Sequence, residues 1–215
     1  MADLGEPVPQ PEQPDGPLIA VCLRHADPGP DVDAATGEVR PYPPAATASP
    51  AEWAALELGF RAAEAWAGRV LAVTAGPPAA EATLRQALAA GAAALRVDTG
   101  DSGHGVRAGT GDGGHGASDA AGLADDEHAL AIALARALGR YRPALVLCGD
   151  RSAGRGTGAL PAFLAHELGA AQALGLVSLT VDGDHLLAER RLPAGHRERL
   201  RVTLPAVCSV EAAGV

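Results

Sequence analysis

Short, continuous apolar runs alternate along this chain with segments in which apolar residues recur at helical spacing. The runs cover residues 18–23, 69–74, 94–97 and 144–148. There are four helical segments. The first begins at Ser49-Pro50, the next two cover residues 79–90 and 127–138, and the last follows Gly158. Continuous apolar runs are typical of strands that are covered on both faces. The alternation therefore predicts an α/β fold, in which a parallel sheet carries helices on both of its faces.

The pattern changes after Gly169. Residues 175–192 contain two strand-like stretches around a turn at Asp182-Gly183, and residues 204–210 form a last apolar run. Stretches of this kind on either side of an Asp-Gly turn are typical of a hairpin. We therefore expect extra antiparallel strands in the C-terminal part of the sheet.

Three stretches are poor in apolar residues. Residues 1–17 are acidic and rich in proline, which is the composition of a disordered tail. Residues 24–50 are rich in Pro, Asp and Gly and are predicted to be mostly loop up to the helix start at Ser49-Pro50. Between residues 100 and 122, nine of 23 residues are glycine, which predicts a flexible insertion. The organisation predicted is a tail at 1–17 and a single domain at 18–215 that contains this insertion.

Composition excludes several classes of function. The formal net charge is −9, which argues against nucleic-acid binding, because phosphate backbones bind basic surfaces. All 17 basic residues are arginine, so a phosphate-binding or Schiff-base lysine is excluded. Cys22, Cys148 and Cys208 have no Cys-x-x-Cys spacing and are expected to be buried, reduced thiols. With no visible signal peptide or membrane-spanning run, we expect a cytoplasmic protein without stable membrane insertion.

The loop after the fourth apolar run, residues 149–158, has the composition of an anion site. Ligands of open parallel sheets bind beyond the carboxyl ends of the strands, and this loop follows such an end. Arg151 and Arg155 carry positive charge, and Thr157 is expected to cap the helix that follows. The glycines that would let the backbone approach a ligand are Gly154, Gly156 and Gly158. The pattern predicts a site for nucleotide phosphate, the alternative being an ordinary glycine-bearing turn.

Other candidate residues are less informative. His25 and Asp27 follow the first run at a carboxyl end and either line a pocket or are solvated. The G-x-G-x-x-G match at residues 109–114 neither follows a strand nor opens a helix, so we interpret it as a chance match. The sequence shows no Ser-His-Asp or paired-carboxylate arrangement. We therefore predict neither a catalytic nor a metal site.

Five stretches occur in a fixed order between residues 18 and 210. They are AVCLRHADP, SPAEWAALELGFRAA, VLAVTAGPPAAEATLRQALAAGA, the loop with Thr157-Gly158, and LPAVCSV. No single stretch is specific, but the ordered set resembles the β subunits of electron-transfer flavoproteins. The resemblance implies a three-layer α/β sandwich of the adenine-nucleotide-hydrolase-like type.

The resemblance also implies a function. It implies an electron-carrier subunit, not a bond-making catalyst, that forms a heterodimer with a flavin-bearing α subunit and relays electrons from a dehydrogenase. FAD would be bound mainly by the α partner, and this subunit would bind AMP or a second FAD. Carried over by position, the nucleotide contacts fall at Cys22, Ser49, Ala75, Ala153, Gly154, Arg155, Gly156, Thr157, Gly158 and Ala159. Arg151 lies in the same loop, and its positive charge makes it a further candidate contact.

The sequence departs from the family pattern in several places. Ser49 replaces the usual Asn, the loop is shorter and carries arginine, and the Gly-rich insertion is extra. The family normally continues well past its Leu-Pro-Ala-Val strand, whereas this sequence stops at Val215. This compact form most resembles β subunits associated with mycofactocin redox-peptide systems. Two alternatives stay open: a stand-alone nucleotide-binding regulatory module, and a structural subunit with a decayed nucleotide site.

Overall fold

A computed structural model describes residues 16–24, 31–37, 39–40, 48–98, 126–151 and 157–212. The strands are β1 (Leu18–Cys22), β2 (Asp31–Val32), β3 (Val39–Arg40), β4 (Arg69–Ala75), β5 (Ala93–Val97), β6 (Leu145–Gly149), β7 (Ala171–Asp182), β8 (His185–Arg191), β9 (Arg197–Thr203) and β10 (Ala206–Val210). The helices are α1 (Pro50–Ala65), α2 (Glu81–Ala89), α3 (Glu127–Gly139) and α4 (Leu160–Leu168). Two 3-10 turns lie at Pro78–Ala80 and Pro193–Gly195.

The main sheet has eight strands in the order β5-β4-β1-β6-β10-β7-β8-β9. The strands from β5 to β7 are all parallel, whereas β8 and β9 are added antiparallel to β7. The turn between β7 and β8 contains Gly183, whose φ of +61° is a conformation that glycine adopts at little cost. The predicted parallel sheet with C-terminal antiparallel strands is confirmed.

The core consists of two apolar layers, one on each face of the parallel strands. Ile19 and Val21 of β1 belong to the layer that packs against α1 and α2. Ala20, which lies between them and points to the opposite face, packs in the layer formed with α3 and α4. The fold is therefore a three-layer sandwich, as the sequence predicted, and none of the helices in the described ranges is long and apolar enough to cross a membrane.

Two features of the fold were not predicted. The stretch predicted to be mostly loop contains a two-stranded antiparallel ribbon of β2 and β3. Strand β9 was not predicted, because its alternating arginines form no apolar run. Residues 1–15 of the predicted tail and the whole predicted insertion at 100–122 lie outside the described residues, so both stay predictions. Of the tail, Pro17 is described, and its carbonyl accepts a hydrogen bond from Arg69 N at 3.2 Å.

Candidate functional site

A cleft lies where the sheet reverses its strand order. After β1 the chain builds β4 and β5 on one side, and then β6 on the other side of β1. The helices change face at the same point, because α1 and α2 cover one face and α3 and α4 the other. The carboxyl ends of β1 and β6 therefore meet at a topological switch point, which is the usual ligand position in open α/β sheets.

The cleft combines apolar walls with a few charged groups. It encloses about 460 Å³, including space open to solvent. The ends of β1, β4 and β6 and the first turns of α3 and α4 supply most of its lining. The charged residues that line it are Arg24, Glu52, Glu127 and Arg151. Apolar walls with a few polar groups are typical of small-molecule sites.

Glu52 connects the start of α1 to the end of β1. The Ser49 hydroxyl accepts a hydrogen bond from Glu52 N at 3.2 Å, and Glu52 Oε2 accepts one from Ser49 N at 2.6 Å. This reciprocal pair is a capping box, and it confirms Ser49 as the N-cap. The other carboxylate oxygen, Oε1, accepts a hydrogen bond from Arg24 N at 2.9 Å. Both oxygens of one side chain thus hold two segments that are distant in sequence.

The carboxyl group of Glu52 is buried. The residue is only 5% exposed. Burial raises the pKa of its carboxyl group, because a charged form is disfavoured away from water, although the hydrogen bonds from Ser49 and Arg24 act in the opposite direction. Glu52 therefore lines the cleft as a buried residue that holds the start of α1 against the end of β1.

Glu127, the first residue of α3, connects three segments around the cleft. Its Oε1 lies 3.3 Å from Arg24 Nη1 and accepts a hydrogen bond from the Thr157 hydroxyl at 2.7 Å. Its Oε2 accepts a hydrogen bond from Ala159 N at 3.0 Å. The side chains of Arg24 and Glu127 are only 18% and 12% exposed, so water screens this ion pair less than one at the surface.

Two glycines bring backbone segments close together at the end of β6. A Cβ on Gly149 would lie 2.9 Å from Glu52 Cγ and 3.1 Å from Glu52 N. A Cβ on Gly158 would lie 2.4 Å from the carbonyl oxygen of Asp150. Neither position has room for a side chain. Glycine at these positions therefore lets α1 and the second half of the loop approach the strand end.

Thr74 is an unusual polar residue at the cleft. It is 1% exposed, it lines the cleft, and its hydroxyl has no hydrogen-bond partner among the described residues. Buried hydroxyl groups are normally paired, so such a group calls for an explanation. A bound ligand at the cleft is one explanation.

The cysteines are buried, free thiols, as the sequence predicted. Cys22 and Cys148 both line the cleft. A hydrogen bond with Cys22, together with burial, raises the pKa of the Cys148 thiol well above its ordinary value. Burial raises the pKa of Cys208 to about 12. Cys148 and Cys208 are therefore thiols rather than thiolates at neutral pH.

The structure brings several residues implied by sequence together at the cleft. Cys22, Ala75, Arg151 and Thr157 line it, and Ser49 adjoins it through Glu52. Gly158 and Ala159 are described in the loop, whereas Ala153, Gly154, Arg155, Gly156, His25 and Asp27 lie outside the described residues. That these residues contact a nucleotide stays a prediction.

The expectation that Thr157 caps the helix was wrong. Helix α4 begins at Leu160 with Ala159 as its N-cap, and it has no side-chain cap. The Thr157 hydroxyl instead donates to Glu127. The helix begins two residues later than expected, so Thr157 is too far from its first turn to take the N-cap position.

Sequence reasoning did not single out Glu52 or Glu127 as site residues. The spacing of Ser49 and Glu52 is the signature of a capping box, and this local signal could have indicated the role of Glu52 at the helix start. The contact of Glu52 with Arg24 and all contacts of Glu127 described above join segments far apart in sequence. No local signal indicates such contacts.

Comparisons with known proteins give a consistent result. A profile of the electron transfer flavoprotein domain matches residues 110–214. An electron transfer flavoprotein subunit beta from Chromohalobacter salexigens is 40% identical over 81 residues, which are 37% of this chain and 30% of the relative. A protein of the same name from Thermoanaerobacterium thermosaccharolyticum is 29% identical over 151 residues, which are 70% of this chain and 50% of the relative. The chain is therefore similar to electron-transfer flavoprotein β subunits over part of its length.

Both relatives are named as subunits of an electron transfer flavoprotein, the family that the sequence resembles. The α/β fold with a mostly parallel sheet and C-terminal antiparallel strands agrees with it. The match covers 30% and 50% of the lengths of these two relatives. The likeness to a mycofactocin-associated type stays a prediction.

Proposed function

We propose that this chain is an electron-carrier subunit of the electron-transfer flavoprotein β family and that it binds an adenine nucleotide at the cleft. The observation that carries the proposal is the position of the cleft at the topological switch point of such a chain. The subunit would pair with an α subunit that binds FAD and would receive electrons from a dehydrogenase. Its own ligand would be AMP or a second FAD, and its location the cytoplasm.

The residues present fit a nucleotide phosphate. The Thr157 hydroxyl and the Ala159 N–H converge on one carboxylate, with the Arg24 guanidinium beside it. A set of donors that holds one oxyanion suits another, and a guanidinium strengthens it further. Arg151 lines the same cleft with its side chain 76% exposed, so it can reach a ligand from the solvent side. The unpaired Thr74 hydroxyl offers a further polar contact.

The roles of protein and cofactor are separate. A flavin held by the heterodimer would supply the redox chemistry. The residues of this chain would bind the nucleotide, orient it through the loop and the strand ends, and exclude water from the apolar side of the cleft. We propose that residues 153–156, which the sequence implies, complete the phosphate contacts together with Arg151.

A structural subunit without nucleotide is the second candidate. The observation that favours it is the Glu127 carboxylate, because it already takes the donors that a phosphate would need. A stand-alone nucleotide-binding module is the third possibility, and it differs from the first in needing no α subunit.

One experiment distinguishes these functions. The chain is co-expressed with an electron-transfer flavoprotein α subunit from the same genome, and the complex is isolated by size-exclusion chromatography. We expect a yellow heterodimer whose extracted nucleotides include AMP, or FAD in excess of one per heterodimer. A nucleotide-bearing chain that ignores the α subunit would indicate the stand-alone module. A heterodimer with no nucleotide beyond the α subunit's FAD would indicate the structural subunit.

A matched pair of variants locates the nucleotide. Ala75 lines the cleft at the carboxyl end of β4, and Ala75→Leu places a larger side chain there. Ala93 is an exposed residue at the amino end of β5, so Ala93→Leu makes the same change at the opposite edge of the sheet. By calorimetry, Ala75→Leu should weaken AMP binding about tenfold or more, because overpacking a filled site costs about 1–3 kcal/mol. Equal affinities in the two variants would place the nucleotide elsewhere.

A further inference from the structure

Glu127 has a position that the proposed function does not explain. Its carboxylate oxygens accept hydrogen bonds from the Thr157 hydroxyl at 2.7 Å and from Ala159 N at 3.0 Å, and Arg24 lies 3.3 Å away. One neutral hydroxyl, one backbone N–H and one guanidinium thus surround a single negative group. The carboxylate takes the place that an external oxyanion would take.

A second, independent observation supports the proposal of a ligand at this cleft. The Thr74 hydroxyl, on β4 and in none of these contacts, is buried at the cleft without a partner among the described residues. The internal carboxylate satisfies the loop donors, but it leaves this hydroxyl unsatisfied. With Glu127 in place, the polar groups of the cleft are therefore incompletely paired among the described residues.

A phosphate and the Glu127 carboxylate cannot use these donors together. Both are acceptors that carry negative charge, and two such groups in contact repel each other. The Glu127 side chain can release Thr157 and Ala159 by rotation about its own bonds, so α3 does not need to move. Binding of a phosphate would therefore exchange one charge-assisted set of hydrogen bonds for another.

We infer that Glu127 is an internal competitor for the phosphate group of the nucleotide, and that its release sets the affinity and selectivity of the cleft. The inference rests on the proposed nucleotide function and adds a specificity-determining residue to it. The competition acts only on the phosphate. A nucleoside that lacks the phosphate can bind without displacing Glu127.

The test compares AMP and adenosine in calorimetry with the heterodimer. Glu127→Ala removes the competitor, and Glu127→Gln keeps the size and one acceptor oxygen but removes the charge. Glu57→Gln is the matched control, because Glu57 forms an exposed ion pair with Arg61 at 3.1 Å on α1 and is no part of the cleft lining. Thermal melting of each variant establishes that it is folded.

We expect Glu127→Ala to tighten AMP binding about tenfold or more. In the wild type, AMP must break a charge-assisted hydrogen bond of Glu127, and this cost is absent in the variant. Glu127→Gln should give a smaller gain in the same direction. Adenosine affinity should be unchanged in both, and Glu57→Gln should match the wild type with either ligand. Hydrogen exchange gives a second measurement: the Ala159 amide should exchange faster in Glu127→Ala and slow again when AMP is added.

Two results would overturn the inference alone. If the wild type binds AMP and Glu127→Ala binds it no more tightly, the carboxylate does not compete. If AMP and adenosine gain equally, Glu127 only narrows the cleft. If neither the wild type nor Glu127→Ala binds either ligand, the proposed nucleotide function fails, and the inference with it.

Discussion

The buried carboxylate of Glu52 allows a sharp test of how the cleft is built. Glu52→Gln preserves the shape of the side chain but replaces one acceptor oxygen with an NH2 group that can only donate. In the wild type, both oxygens accept from backbone N–H groups, one of Ser49 at 2.6 Å and one of Arg24 at 2.9 Å. Glutamine can accept only one of these bonds, so one N–H group loses its partner.

The expected cost follows from burial. A buried donor left without a partner costs about 1–3 kcal/mol. We expect Glu52→Gln to lower the free energy of unfolding by this amount at neutral pH, and Glu52→Ala to lower it further, because both N–H groups then lose their acceptor. Ser49→Ala should cost about 1 kcal/mol, the usual value for a lost N-cap.

Urea unfolding followed by circular dichroism measures these differences. Glu57→Gln is the control on the same helix, because Glu57 is an exposed residue whose ion pair is worth little. The control should lie within about 0.5 kcal/mol of the wild type. If Glu52→Gln is as stable as this control, the two hydrogen bonds do not hold the helix start to β1, and the reasoning is refuted.

The same residue predicts a pH dependence. Because burial raises the pKa of Glu52 in the folded protein above its ordinary value of 4.5, the folded state takes up a proton more readily than the unfolded state. The contribution of Glu52 to stability is therefore highest below pH 4.5 and falls as the pH rises through the folded pKa. The stability advantage of the wild type over Glu52→Ala, which cannot titrate at this position, should decrease across this window. An advantage that grows with rising pH would contradict the direction of the shift.

Two further predictions concern packing and thiol chemistry. Gly149→Ala should lower the free energy of unfolding by about 1–3 kcal/mol in urea titrations, because its Cβ would lie 2.9 Å from Glu52 Cγ. Gly139→Ala, with nothing within 4 Å of its Cβ, should be neutral or slightly stabilising, and equal losses would contradict the packing argument. Cys148 and Cys208 should react slowly with iodoacetamide at pH 8 in the native protein and quickly in urea, because burial and raised pKa values keep them protonated. Mass spectrometry measures the rates, and equal rates in both conditions would refute burial as the cause.

The sequence alone determined the parallel part of the fold. Buried strands need apolar residues on both faces, so β1, β4 and β6 are visible as continuous runs, and the helix at Ser49 has its start signal in neighbouring residues. The Asp-Gly turn between β7 and β8 is equally local. The loop after β6 was recognised as a candidate site because strand, loop and helix follow one another in the chain.

Only the tertiary structure decided the outer edge of the sheet and the surroundings of the cleft. Strand β9 is added at the sheet edge by pairing with β8, and its alternating charges gave no apolar signal. Arg24 and Glu127 are 103 residues apart, and the partners of Glu127 in the loop are 30 and 32 residues away. A carboxylate has the same local signature whether it points to solvent or accepts hydrogen bonds from a loop that follows a distant strand. Which of these it does depends on how the helices close over the strand ends, and that arrangement exists only in the folded chain.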